Sequence, residues 1–322
     1  MGEASHGGPV VVTGGAGAIG SALVAALLAN GHEVRVIDNL SAGKAECLPG
    51  GGRAEHLSLT VADLREPSTF DATLRGARSV WHLAANTDIR RGSADPKVDF
   101  DHGTLATFHL LDAARRHDVA EVLYASSSVV YGMAKVLPTP ESYGPLLPES
   151  LYGGAKLAGE GMCASFAATY GFKVRMFRFA NIIGPGMTHG ILVDFFEKLR
   201  HDPSRLEILG DGRQSKSYLR TEDCVAGMLV AAEKSTEKVD VFNLGTTDRI
   251  TAREIGEKVV AAHGGRAKIE FTGGDRGWVG DVPQTFLAIE KMTDLGWKPR
   301  YTSAGAIDRT IEEMVEARRC PP

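Results

Sequence analysis

The chain has 322 residues, 43% of them hydrophobic, which is ample for one large domain or two modest ones. A formal charge of −4 and a pI near 6.2 leave no basic surplus for a nucleic-acid partner, and no apolar run reaches membrane-spanning length. Cys47, Cys163, Cys224 and Cys320 are scattered without a Cys-x-x-Cys pair, which argues against a zinc cluster and fits a reducing cytoplasm.

Met1–Gly8 is short and polar, lacks the charged and apolar regions of a secretion signal, and reads as a disordered lead-in. Pro9–Thr13 is a β-branched run of the kind a buried parallel strand shows. Gly14-Gly15-Ala16-Gly17-Ala18-Ile19-Gly20 follows at once, and then Ser21–Asn30, apolar and rich in helix formers. Strand, glycine turn and helix stand in the order a dinucleotide site requires. The glycines permit a tight turn and close approach of backbone to pyrophosphate, and the helix N-terminus offers free N–H groups to the phosphates. The next strand, Glu33–Ile37, ends in Asp38, an acid placed to accept hydrogen bonds from the adenosine ribose hydroxyls and to repel a 2′-phosphate. No arginine follows in Asn39-Leu40-Ser41, so NAD is expected rather than NADP.

Further strands are expected near 56–61, 79–83, 120–126 and 173–179, with helices near 18–30, 67–76, 98–117 and 152–170. This alternation predicts right-handed βαβ units: an α/β fold with a doubly wound parallel sheet, whose ligands sit at the carboxyl ends of the strands. His82, His109 and His189 have no metal-ligand spacing, and His109, inside an apolar helix, reads as a packing histidine. No metal site is expected. After residue 180 the character changes. Asn181–Gly186 reads as turn and loop, followed by a helix near 190–200, a strand at Leu206–Leu209, the turn Gly210-Asp211-Gly212, and helices near 221–234, 251–263 and 302–319. Residues 1–180 are therefore expected to form the dinucleotide-binding domain and 181–322 a smaller α/β substrate-binding lobe. The two interleave, with Asp240–Leu244 returning to the main sheet.

Two clusters carry chemistry. Ser126-Ser127-Ser128 stands at the carboxyl end of the strand Glu121–Ala125, where a hydroxyl can hold a substrate oxygen and stabilise developing charge. Tyr152 and Lys156 stand four apart at the start of a helix and so share a face. An ammonium beside a phenol favours phenolate, so the spacing predicts a tyrosine tuned toward neutral pH, able to take and return a proton.

Together these motifs resemble the extended short-chain dehydrogenase/reductase family, in particular its NAD-dependent nucleotide-sugar epimerases of the UDP-glucose 4-epimerase type. The resemblance spans almost the whole chain. It rests on Thr13–Gly20, Asp38-Asn39-Leu40, Asp63-Leu64, His82–Ala85, Ser126–Gly132, Tyr152…Lys156 with Leu157–Glu160, Arg178–Asn181 and Gly210–Gly212. It implies a Rossmann domain that holds NAD on the Gly14, Gly17, Ala18 and Ile19 turn and on Asp38 and Asn39. Asp63 and Leu64 would lie beside the adenine, Leu83, Ala84 and Ala85 would line the cofactor, and Phe179 would lie by the nicotinamide. Ser127, Tyr152 and Lys156 would be catalytic, with Ser128 a stand-in for Ser127 and Lys156 also touching the nicotinamide ribose. A UDP-sugar would meet Asn181 through its phosphates and the backbone near Glu207 and Leu209 through its uracil. Lys216 falls where many members carry an arginine for the diphosphate, and Arg276 could supply the missing bidentate contact. The resemblance also implies a homodimer built on the helices near 98–117 and 152–170.

The chain departs from the family pattern at Gly103, where many relatives have asparagine, and at Ser217-Tyr218, which replaces Asp-Phe or Asp-Tyr. Ser128 and Val129 stand where 4,6-dehydratases carry acids and decarboxylases a glutamate, which favours plain C4 epimerisation of UDP-glucose/UDP-galactose through a 4-keto sugar. The alternatives are a UDP-glucuronate/UDP-galacturonate 4-epimerase, with Arg90, Thr87 and Thr188 as suppliers of polar contacts to the carboxylate, and a net NAD-dependent dehydrogenase or reductase. A non-enzymatic nucleotide sensor should lack one of Ser127, Tyr152 or Lys156, and all three are present.

Overall fold

The computed structural model describes residues 7–86 and 88–319, with Arg90, Arg91, Arg318 and Arg319 described by their backbone alone. Most of the expected lead-in, Met1–His6, lies outside the described residues, as do Thr87 and Cys320. Seven parallel strands form the central sheet. Six are β1 (Val10–Thr13), β2 (Val34–Asp38), β3 (Leu57–Val61), β4 (Ser79–His82), β5 (Glu121–Ser127) and β6 (Lys173–Phe179). The seventh, Val239–Leu244, comes from the second half of the chain and pairs with β6 from Val239↔Val174 to Leu244↔Phe179, as the sequence suggested. From this strand the order runs β6, β5, β4, β1, β2, β3, so the winding reverses between β1 and β4. A crevice opens at such a reversal, outside the carboxyl ends of the two strands.

The sheet is covered on both faces, which is why β1 and β4 are buried throughout. One face packs on the helices Ala18–Ala29 and Thr221–Lys234 through Leu23, Leu27, Leu219 and Met228. The other packs on Ala106–Arg116 and Leu151–Tyr170 through Leu110, Leu111, Cys163 and Ala167. A separate core, with Phe195, Leu206, Ile255 and Ile307, lies under the helices Ile191–His201, Ala252–Ala262 and Ser303–Arg319.

Three expectations about elements need correction. The helix expected over 67–76 is a turn of α-helix, Pro67–Phe70, followed by a 3₁₀ turn, Asp71–Leu74. The helix expected over 98–117 starts at Pro96, capped by the Asp95 side chain, and widens into a π segment, Phe100–Leu105, before Ala106–Arg116. That wide turn presses on the helix Leu151–Tyr170: a Cβ on Gly103 would lie 2.8 Å from Cβ of Ala155. Asn181–Ile183, expected as turn and loop, is a strand paired in parallel with Tyr218–Arg220. Its partner lies 37 positions away, from Asn181 to Tyr218, beyond the reach of local pattern.

The helix Leu151–Tyr170 has clear signals at both ends. Ser150 Oγ accepts the Gly153 N–H at 3.1 Å, and Gly171 closes the helix in the left-handed region at φ 93°. Midway, Gly159 leaves room for Tyr124 of β5: a Cβ there would sit 2.1 Å from the phenolic oxygen. Gly159→Val should therefore lower stability by about 1–3 kcal/mol through overpacking. Gly161→Ala, on the same helix with nothing within 4 Å, should be neutral or stabilising. Thermal melts of the two variants check this.

Candidate active site

At the crevice between β1 and β4 the chain builds an anion cradle. Gly14 leaves β1 with φ 69°, and a Cβ there would lie 2.7 Å from the Ala84 nitrogen, so the two loops meet closely only because this residue has no side chain. The helix that follows starts after Gly17 with no side-chain cap and no acid in its first turn. The N–H groups of Ala18 and Ile19 therefore have no acceptor within the helix and face the crevice as donors. Asp38, at the end of β2, is 8% exposed; Oδ2 accepts the Ala16 N–H at 2.9 Å and Oδ1 the Leu40 N–H at 2.8 Å. The acid is thus part of the glycine turn, with lone pairs left for ribose hydroxyls. Asn39 donates to Asp63 at 3.1 Å, and the hydrogen bonds from Arg65 hold the Asp63 carboxyl well below the usual carboxylate range. Leu64 is buried. His109 is more than a packing residue, because its Nδ1 donates to the Leu64 carbonyl at 3.1 Å. Leu83, Ala84 and Ala85 complete the wall, tied to β1 by Leu83 N–H to Thr13 O at 3.1 Å and Ala84 N–H to Thr13 Oγ1 at 3.3 Å.

Behind that wall runs a hydrogen-bond chain the sequence did not disclose. His82 is buried; its Nδ1 lies 2.7 Å from Thr13 Oγ1 and its Nε2 3.0 Å from Thr107 Oγ1. Thr107 donates its hydroxyl proton to the Gly103 carbonyl, so it accepts from His82 Nε2–H, and in the neutral ring Nδ1 accepts from the Thr13 hydroxyl. The neutral form is set by the surroundings rather than by these partners. Burial, reinforced by the Lys156 charge, pushes the imidazole down to about 3. Gly103 thus contributes its backbone carbonyl oxygen to the chain.

Ser127, Tyr152 and Lys156 meet beside this cradle. Ser127 ends β5, pairs with Phe179 at the end of β6, and caps the short 3₁₀ turn Ser128–Tyr131. Its hydroxyl reaches the Tyr152 phenol and favours the ionised form. Ser128 is buried in that turn. Lys156 is 4% exposed, donates to the Ala125 carbonyl at 2.6 Å, and lies 5.8 Å from the centre of the Tyr152 ring. The shared helix face is as expected. The expected tuning is not: burial, with the Asp99 carboxylate nearby, pushes the Tyr152 phenol up to about 12, whereas burial pushes the Lys156 ammonium down to about 8. Desolvation outweighs the lysine's attraction because the ammonium points at a carbonyl rather than at the phenolic oxygen. Asp99 itself is 1% exposed, and its Oδ1 accepts from Asn86 Nδ2 at 2.8 Å. Asn86 and Asp99 are members of this site that sequence reading missed.

The residues expected on the substrate side lie at the end of β6 and in the second lobe. Phe179 is buried and stacked on Phe177, and Asn181 donates to the Ser217 carbonyl at 3.2 Å. The Glu207 carbonyl receives the Lys198 ammonium at 3.0 Å, and the Leu209 carbonyl receives Gln214 at 2.8 Å. Lys216 and Arg276 both hold carboxylates: Lys216 pairs with Asp281 at 2.6 Å and stands over the Trp278 ring, and Arg276 pairs with Glu149 at 2.9 Å. Asp281 also accepts the Gly277 N–H, which ties Lys216 to the segment that carries Arg276. Thr188 is exposed; Thr87 and the Arg90 side chain lie outside the described residues.

A glycine turn under an acid, with serine, tyrosine and lysine converging at neighbouring strand ends, is mirrored in known proteins. The NAD dependent epimerase/dehydratase family profile matches residues 10–245. The chain belongs to that family. It is 32% identical to a UDP-glucose 4-epimerase of Mycolicibacterium smegmatis over 94% of this chain and 97% of the relative. Among solved structures it is similar to a UDP-galactose 4-epimerase, with TM-score 0.86 and 40% identity over 96% of this chain and 99% of the other. It is also similar to the UDP-glucose 4-epimerase of Thermotoga maritima solved with UDP-glucose, with TM-score 0.87 and 29% identity over 96% and 99%.

NAD dependence follows from family membership, and the cradle fits the group, with unpartnered helix N–H groups for the pyrophosphate and a buried acid at the ribose position. The neutral His82 at the back of the cradle has a measurable consequence. In the unfolded chain the imidazole protonates near 6.5, while in the fold it stays neutral to about 3, so the unfolded state binds the extra proton as pH falls between those values. His82 thus contributes stability above pH 6.5 that is lost on acidification. Melting temperatures from about pH 7 to about pH 4 should fall less steeply in His82→Gln than in the parent protein.

Proposed function

We propose that the protein interconverts UDP-glucose and UDP-galactose by NAD-dependent epimerisation at C4, through a 4-keto sugar. The observation that carries this reading is the convergence of the Tyr152 phenol and the Ser127 hydroxyl, at the carboxyl ends of β5 and β6, beside the dinucleotide cradle at the ends of β1 and β4. Bound NAD supplies hydride transfer to and from C4. The protein's part is proton management and positioning. Tyr152 removes the proton of the C4 hydroxyl and returns it to the same oxygen after the ketone has turned over. A phenol pushed up to about 12 stays protonated at neutral pH. To act as base it needs the Ser127 hydroxyl and a charged Lys156, whose ammonium lies 5.8 Å from the centre of its ring. Ser127 also holds the reacting oxygen in line.

On the substrate side, Asn181 and the cations of Lys216 and Arg276 take the diphosphate, leaving Asp281 and Glu149. The backbone at Glu207 and Leu209 takes the uracil, and Phe179 closes the site by the nicotinamide. Val129 offers no acid for elimination or decarboxylation, which leaves epimerisation as the simplest outcome. The protein acts in the cytoplasm as a homodimer. The helices Ala106–Arg116 and Leu151–Tyr170 present exposed aromatic surface, with Phe108 44% and Tyr170 51% exposed and both rings packed on Phe166. A bundle of these helices from two copies would cover it.

A UDP-sugar panel followed by NMR without added NAD tests the reaction. The glucose/galactose pair should equilibrate and the glucuronate/galacturonate pair should not. Tyr152→Phe should fold, retain NAD and lose roughly 10²–10⁴-fold in kcat. Near-parental turnover in that variant removes Tyr152 from the mechanism. The double variant Phe108→Glu, Tyr170→Glu should elute as a monomer in size-exclusion chromatography with light scattering, where the parent elutes as a dimer.

A further inference from the structure

We propose that Glu160 is a positioning residue for this reaction: its carboxylate locks the helix carrying Tyr152 and Lys156 to the strands carrying Ser127 and Phe179, and places an anion one helical turn beyond Lys156. The inference rests on the epimerase reading for its kinetic arm and on geometry for the rest.

Glu160 stands four residues beyond Lys156 and eight beyond Tyr152, on the same helix face, and is 6% exposed. Oε1 accepts from Ser126 Oγ at 2.6 Å and from Arg178 Nε at 2.9 Å, and Oε2 accepts from an Arg178 terminal nitrogen at 2.7 Å. Ser126 precedes Ser127 and pairs with Arg178, which precedes Phe179. One carboxylate therefore joins three elements, and on each strand it binds the residue adjoining a site residue. Arg178 is itself 4% exposed, with its guanidinium 4.7 Å from the centre of the Tyr131 ring and a further bond to the Glu141 carbonyl. A buried bidentate pair of this kind tolerates little displacement, since either charge left alone would be strongly unfavourable.

The same carboxylate is the negative charge that offsets the desolvation of Lys156. The titratable groups around that ammonium are few. On its own helix they are Tyr152, Glu160 and Cys163. Tyr124 faces it from β5, with the ring centre 5.1 Å away, and neutral His82 faces it from β4. Arg178 of β6 acts across Glu160, and Asp99, on Pro96–Asp99, acts on Tyr152. Of these, Cys163 and Glu160 both favour the charged lysine, and because burial pushes the Cys163 thiol up and keeps it neutral, Glu160 is the anion. Removing it leaves Arg178 as an uncompensated cation and drives the Lys156 proton off at lower pH.

The test compares Glu160→Gln, Glu160→Asp and Ser126→Ala with the parent, using kcat and KM against pH, thermal melts, and NMR titration of isotopically labelled lysine with the Lys156 signal assigned by its loss in Lys156→Met. Glu160→Gln should lower kcat by roughly tenfold or more with KM little changed, as expected for misplaced reacting groups. It should move the alkaline limb and the Lys156 titration to lower pH by roughly one unit. Glu160→Asp keeps the charge, so it should keep the titration near the parental value while losing turnover. Ser126→Ala should fold and show a smaller loss of turnover. A Glu160→Gln protein that melts earlier but keeps the parental kcat, limb and lysine titration overturns the proposal. If Glu160→Gln does not fold, parental turnover in both Glu160→Asp and Ser126→Ala overturns it. If the parent fails to epimerise any UDP-sugar, the epimerase reading fails, and the lysine titration still decides whether Glu160 supports the charge.

Discussion

Lys156 brings a cation to a position that is 4% exposed, and much of the site is arranged around keeping it there. A buried ammonium is unfavourable unless its hydrogens and its charge are both met. The Ala125 carbonyl meets one hydrogen at 2.6 Å, the Tyr124 ring lies over the charge, and Glu160 supplies the balancing anion one turn on. Because β5 provides that carbonyl, the strand's next residues, Ser126 and Ser127, are held at fixed distances from the helix face that carries Tyr152. The lysine thus links strand and helix at the point where the reacting groups must converge.

The sheet topology places this junction next to the nucleotide. Winding reverses between β1 and β4, so the loops after Thr13 and His82 diverge from the crevice floor and leave space above it. Gly14 and Ala84 approach so closely that the floor admits no side chain. The Thr13–His82–Thr107–Gly103 chain fixes its back wall with every donor and acceptor used once. The imidazole in that chain is neutral because burial and the nearby Lys156 charge both oppose its protonation. The Gly103 carbonyl then serves on a segment that has opened into a π turn to fit against Ala155.

In the second lobe two cations are already paired with carboxylates. Lys216 and Arg276 each rest on a carboxylate, Asp281 and Glu149, whose spacing from the cation resembles that of a phosphate oxygen. The Arg276 pair spans 127 positions, and Glu149 immediately precedes the N-cap of the Tyr152 helix. The segment that carries Arg276 is thereby tied to the start of the helix that carries Tyr152.

By itself the sequence determined the parallel sheet, the glycine turn, Asp38, Ser127, Tyr152 and Lys156. Each is written in local order, as strand, then turn, then helix, with spacings of a few residues that need no knowledge of the rest of the chain. Even the return of a late strand to the sheet could be read from the short segment Asp240–Leu244. Tertiary structure alone decided what depends on burial and on distance between remote residues. The proton affinity of Tyr152 goes up rather than down because desolvation exceeds the pull of an ammonium that faces Ala125. The tautomer of His82 follows from Thr13 and Thr107, residues 69 positions before it and 25 after it. Asn86, Asp99, Glu149 and Asp281 have no local pattern to announce them; their roles exist only once the fold has brought them against Tyr152, Arg276 and Lys216.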